Sequence, residues 1–166
     1  MIVTRAVLPI MRKQRSGHII SISSTAGLTS LEFCSAYSAS KFGLEGFMQA
    51  LKTEVSPFGI NTTIVNPGFF RTELLTEQST KYADNPIEDY SEKREQLMQF
   101  WKGANGQQPG DPAKLAEALV RIVNEEQPPL RFLAGADAVD TAERVATTLH
   151  QQANAYRELS SSMAFE

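Results

Sequence analysis

Ser16-Gly17-His18-Ile19-Ile20-Ser21-Ile22-Ser23-Ser24-Thr25-Ala26-Gly27 reads as a buried strand, His18 to Ser23, that runs out into a serine-rich turn. A short apolar run bounded by turn residues fits a strand covered on both faces. A turn-rich loop leads through Cys34 to a long helix, Ser35 to Val55, in which Leu44, Phe47, Met48, Leu51 and Val55 recur at helical spacing. Pro57-Phe58-Gly59 stops that helix. Asn61 to Val65 is a second strand, ending at the sharp turn Asn66-Pro67-Gly68. Leu130 to Ala134, after Pro128-Pro129 and before Gly135, is a third. Strands alternating with helices imply an α/β fold with a parallel sheet and helices over both faces.

The remaining helices read less evenly. Met1 to about Gln14 is helical, with Val3, Val7, Ile10 and Met11 on one side and Pro9 expected to kink it. Asp111 caps a helix that starts at Pro112 and runs to about Glu125. Asp137 to about Leu159 is helical, with Ser160-Ser161-Ser162 as a frayed tail. Between Phe69 and Gly110 the pattern gives loop and short helices, about Thr72 to Ser79 and Ser91 to Gly103.

Composition narrows the function classes. The 166 residues suffice for one domain, and 42% apolar with 21% charged residues is globular. A net charge of −3 argues against a nucleic-acid surface, and Arg12, Lys13 and Arg15 read as the solvated end of a helix. The single cysteine, Cys34, excludes an internal disulfide and suits a reducing cytoplasm. Two distant histidines and one cysteine give no metal-ligand cluster. No apolar run reaches the ~18 to 20 residues of a membrane span, and Met1 to Met11 lacks the marks of a signal peptide.

Chemistry concentrates at Tyr37-Ser38-Ala39-Ser40-Lys41, with Ser23-Ser24 thirteen to fourteen residues upstream. A tyrosine and a lysine four apart on a helix share a face. A phenol ordinarily titrates near ~10, and a neighbouring ammonium favours the phenolate and brings it toward the working range of proton transfer. A serine hydroxyl nearby can hold a carbonyl oxygen, so the three residue types make a site for interconverting an alcohol and a ketone. Tyr82 and Tyr156 have no lysine at the fourth position, and Tyr90 has Arg94 there.

The ordered set of strand, Ser23-Ser24 turn, Tyr37-x-x-x-Lys41 helix and Asn66-Pro67-Gly68 strand end closely resembles the short-chain dehydrogenase/reductase family. The resemblance implies a Rossmann-like sheet and an NAD(P)-dependent oxidoreductase; NADP is slightly favoured over NAD, and the residues that choose between them, after the family's first and second strands, are not in this sequence. Ser24 would orient the substrate carbonyl, Tyr37 would be the general acid or base, and Lys41 would support Tyr37 and hold the nicotinamide ribose. Tyr37, Lys41, Pro67, Gly68 and Thr72 would form the cofactor contacts. Phe69 and Phe70 would wall the substrate together with Ser24, whereas Phe100 and Trp101 read better as packing of a small helical lid over the site, within about residues 69–110. The substrate would be a small alcohol or carbonyl compound, the compartment cytoplasmic, and a complete protein a homo-oligomer through the helices at 1–14 and 35–55.

The glycine-rich dinucleotide turn, the Asn-Ala-Gly segment and the catalytic asparagine of that family are not found in these residues. The match covers nearly all of the chain but only the C-terminal part of a domain of roughly 250 residues, so the N-terminal strands of the sheet are missing. This leaves an apolar edge strand at His18–Ser23, which invites pairing with another chain. The expectation is a truncated gene product, inactive alone, and the competing reading is a remnant or interaction module without the dinucleotide-binding half.

Overall fold

The computed structural model describes residues 1–82, 85 and 87–165. Three parallel strands, β1 (Gly17–Ile22), β2 (Ile60–Pro67) and β3 (Arg131–Ala134), lie in the order β1-β2-β3. Helix α1 (Ile2–Gln14) precedes β1, α2 (Ser35–Val55) joins β1 to β2, and α3 (Ser91–Ala104) and α4 (Pro112–Val123) lie between β2 and β3. Helices α5 (Ala136–Ala155) and α6 (Arg157–Ser161) follow. The expected parallel α/β sheet is present, with the strand ends that matter for function on one edge.

Register explains that edge. Gly17 pairs with Ile60 and Ile22 with Val65, so β1 ends two residues short of β2, and Pro67 lies opposite Ala134 at the end of β3. Side chains alternate across the sheet. Ile19, Ile60 and Ile64 face α2 and bury with Met48, Leu51 and Val55, while Leu8, Met11, Leu44 and Phe47 close the cluster from its margin. Thr63 and Val65 point from the other face and are also buried. There the Thr63 hydroxyl donates to Pro129 O at 2.7 Å. The His18 ring lies 2.8 Å away with Nε2 toward the same oxygen, which leaves Nε2–H as the donor. Burial lowers the His18 pKa from its ordinary value.

Several local expectations change. Helix α1 runs through Pro9 without interruption, and Val3 and Ile10 are exposed; Leu8 and Met11 are the residues of α1 that meet the core. The helix expected over 72–79 reduces to one 3-10 turn, Glu73–Leu75. The Thr76 hydroxyl bonds to Glu73 O at 2.8 Å and Leu74 stays exposed, so a longer helix would have a competing side-chain bond and no face to bury. The last helix breaks at Tyr156, and Ser160 and Ser161 belong to α6. Among the described residues no helix is long and apolar enough to cross a membrane.

Candidate active site

Helix α2 sets Tyr37 and Lys41 one turn apart on the side that faces the end of β1. Lys41 Nζ lies 5.5 Å from the centre of the Tyr37 ring and donates to Ile22 O, the last carbonyl of β1, at 3.1 Å. The lysine thereby ties the tyrosine's helix to the strand that leads into the serine turn. Its ammonium is half-buried, and that desolvation lowers its pKa from the ordinary lysine value. An ammonium carries three donors, so one satisfied by Ile22 leaves the others for a ligand hydroxyl. Tyr37 is 37% exposed, on the open side of the sheet edge.

The serine turn is built to leave one hydroxyl proton free. Ser24 caps the 3-10 turn Thr25–Gly27, and its Oγ accepts from Ala26 N–H at 3.1 Å. One lone pair is used in that bond, and the proton remains available to a carbonyl oxygen. Ser23 differs sharply: its N–H continues the ladder to Val65 O at 2.7 Å, and its hydroxyl is buried without a hydrogen-bond partner among the described residues. Ser24 is half-buried at the start of the turn, and Ser23 is buried behind it.

A buried carboxylate that sequence reading missed holds this turn. Glu45, one helical turn beyond Lys41, is 3% exposed. Its Oε1 accepts from Asn66 Nδ2 at 2.6 Å, and its Oε2 accepts from Arg131 Nη2 at 2.5 Å. The same Asn66 amide donates to Ser24 O at 2.9 Å. One carboxylate therefore links α2, β2, β3 and the serine turn. Gly27 is required at this point, because a Cβ there would come within 2.7 Å of Ser23 Oγ and 3.0 Å of Glu45 Cγ. Glu45 sits at the i+4 position from Lys41, but its partners lie 21 and 86 residues away, and local spacing cannot reveal them.

The third segment is Pro67-Gly68-Phe69, past the end of β2. Gly68 N–H continues the ladder to Ala134 O at 2.9 Å, and Phe69 N–H donates to Asp137 Oδ2 at 2.7 Å. From Phe69 the chain leaves the sheet and returns at Gly110, whose N–H bonds back to Phe69 O at 2.9 Å while Arg71 N–H bonds to Gly110 O at 2.9 Å. Phe70 is half-buried against Gly110. Phe69 stacks on Trp101 with ring centres 5.7 Å apart, and Phe100 meets Trp101 edge-on at 5.1 Å. Thr72 caps the Glu73–Leu75 turn through a 3.4 Å bond from Leu74 N–H and remains exposed. The segment also reaches the loop after Gly27, where Phe33 meets Tyr90 edge-on at 6.0 Å and Glu32 pairs with Lys93 at 2.5 Å.

Ser24, Tyr37, Lys41 and the Pro67–Phe69 turn thus share one edge of the sheet, outside the carboxyl ends of the strands, where ligands of open α/β sheets bind. A half-buried cation with spare donors lies beside an exposed phenol. Among the described residues no group of three His, Cys, Asp or Glu side chains is placed to hold a metal ion.

Comparison with known proteins agrees with this fold. The family model for short chain dehydrogenase matches residues 1–83. The chain is 35% identical over 158 residues to "Oxidoreductase BOA17" of Botryotinia fuckeliana, covering 95% of this chain and 57% of that protein. It is 40% identical over 133 residues to a 3-ketodihydrosphingosine reductase of Bacteroides thetaiotaomicron, covering 79% of this chain and 48% of that one. Among solved structures, a short-chain dehydrogenase from Streptomyces avermitilis superposes with a TM-score of 0.83 at 38% identity, over 98% of this chain and 58% of that one. The chain spans about half the length of the relatives it matches. By matched residues, relatives and superposed fold, this chain belongs to the short-chain dehydrogenase family.

Proposed function

We propose that the edge formed by Ser24, Tyr37 and Lys41 is the proton-transfer site of an NAD(P)-dependent oxidoreductase that interconverts a small alcohol and its ketone or aldehyde. The observation that carries this reading is Lys41, held at once beside the Tyr37 ring and on the last carbonyl of β1. Tyr37 gives its phenolic proton to the carbonyl oxygen in reduction and takes it back in oxidation. The Lys41 ammonium stabilises the phenolate that remains, and its spare donors hold the ribose hydroxyls. Ser24 donates a hydrogen bond to the same carbonyl oxygen, keeping its own proton, and so fixes the carbon in line for reaction. A bound nicotinamide supplies or accepts the hydride, which is the chemistry the protein itself cannot perform.

Pro67, Gly68 and Thr72 complete the cofactor side of this proposal, with NADP preferred, and Phe69 and Phe70 the substrate side. Both phenylalanines stand at the root of the excursion, and Phe69 carries Trp101 against it, so an apolar or aromatic group next to the carbonyl suits the wall. A complete protein would associate with copies of itself.

The test is a panel of ketones and aldehydes incubated with NADPH or NADH, and of alcohols incubated with NADP+ or NAD+. Reduced cofactor should disappear one-for-one with the appearance of alcohol. A folded protein that binds neither cofactor and turns over no member of the panel would leave the non-enzymatic interaction module as the better reading.

A further inference from the structure

We infer that Asp137 is a positioning residue for the Pro67–Phe69 turn and, through it, for the stem of the 69–110 excursion. The inference rests on the oxidoreductase reading only in supposing that this turn faces the ligands. Asp137 lies in the first turn of α5, where a carboxylate already suits the helix N-terminus. It does more than stay there. Oδ2 accepts Phe69 N–H at 2.7 Å, and the carboxylate fills the space in which a Cβ of Gly68 would stand. Gly135, at φ 102°, also meets the carboxylate closely, since a Cβ there would lie 2.6 Å from Oδ1. Two glycines and one aspartate therefore form a single joint between the end of β2 and the start of α5.

The joint acts at the root of the excursion. Phe69, fixed by its N–H, accepts through its carbonyl from Gly110 N–H, where the excursion returns, and presents its ring to Trp101. Arg71 closes the same stem by donating from Nε and Nη2 to Gln108 O at 3.3 and 3.2 Å. Moving Phe69 shifts both strands of the stem and the α3 aromatic that rests on it. Asp137 thus governs the fit of substrate and cofactor without touching either.

Trp101 is the chain's single tryptophan and reports directly on Phe69. Asp137→Ala and Asp137→Asn both remove the charge at the start of α5, but the asparagine amide oxygen can still accept the Phe69 N–H. Asp137→Ala should move Trp101 emission to longer wavelength, while Asp137→Asn should keep the emission of the unaltered chain, with both melting at similarly lowered temperatures. A shift shared equally by the two variants, or shown by neither, overturns the assignment. Should Asp137→Ala fail to fold, amide exchange in the unaltered chain decides. Phe69 N–H should be protected about 100-fold over an unstructured peptide, and exchange at the peptide rate overturns the assignment. Neither readout needs cofactor or turnover, so its failure is distinct from failure of the oxidoreductase reading, which would show as absent cofactor binding.

Discussion

The serine turn and the 69–110 excursion border the same edge of the sheet and are held in opposite ways. The turn is locked from beneath by the buried Glu45 carboxylate, whose two oxygens are spent on the buried Asn66 and on Arg131, an exposed side chain that reaches in to it. The excursion is tied to the loop after Gly27 by contacts at the surface: the Glu32–Lys93 pair has side chains 57% and 63% exposed, and Phe33 and Tyr90 are both exposed. Buried charge pairs are costly to break because one partner is left uncompensated, whereas exposed pairs contribute little. The difference teaches a division of labour. In the proposed reaction, the groups that would meet the carbonyl are fixed in advance, and those that would meet the rest of the substrate are held by surface contacts.

The most damaging way to break this contrast is Arg131→Ala, which strands the Glu45 carboxylate in the interior. It should cost about 3 kcal/mol, read by denaturant unfolding, and loosen the serine turn. A loss below about 1 kcal/mol would mean that the network is not what holds the turn. Gly27→Ala comes next, because the added methyl meets Ser23 Oγ and Glu45. Overpacking at this point should cost about 2 kcal/mol, and the equivalent change at Gly103 in α3, where a Cβ would meet nothing and the backbone is helical, should lack that cost.

Much of the first region was legible and much of the second was not, for physical reasons. Tyr37 and Lys41 are neighbours because a helix makes them so, and the strand, turn and helix around them are encoded within a few residues of each other. Asp111 and Pro112 likewise announce the start of α4, and the Asp111 side chain does accept Ala113 N–H at 2.8 Å. Glu45, Asn66, Arg131 and Asp137 act through partners set by sheet register, which no local pattern encodes. The excursion misled in the other direction. Thr72-Glu73-Leu74-Leu75 looks like a capped helix, and Thr72 does cap, but with no apolar face covered only one turn forms.

Acidity sharpens the comparison further, with a smaller effect. His18 lies near the start of β1 with its pKa lowered by burial, so the folded chain binds its proton less readily than the unfolded chain. Its contribution is present above the ordinary histidine pKa of 6.5 and is lost as pH falls through the lower folded value. Thermal unfolding should show stability falling below that point, and His18→Gln should flatten the decline. The smallest effect belongs to the excursion: Lys93→Ala should change stability by no more than about 0.5 kcal/mol, while speeding proteolysis between residues 88 and 104. A loss rivalling that of Arg131→Ala would erase the distinction between the two regions.

The measurement that bears most directly on the proposed chemistry is carbonyl-dependent consumption of reduced cofactor by the full-length protein and by its Tyr37→Phe variant at matched cofactor occupancy. Removing one hydroxyl leaves the ring beside Lys41 and takes away only the proton donor. The account predicts a fall in turnover of at least about 100-fold with cofactor affinity little changed. Turnover within twofold of the unaltered protein would contradict it and move the proton-transfer role away from Tyr37.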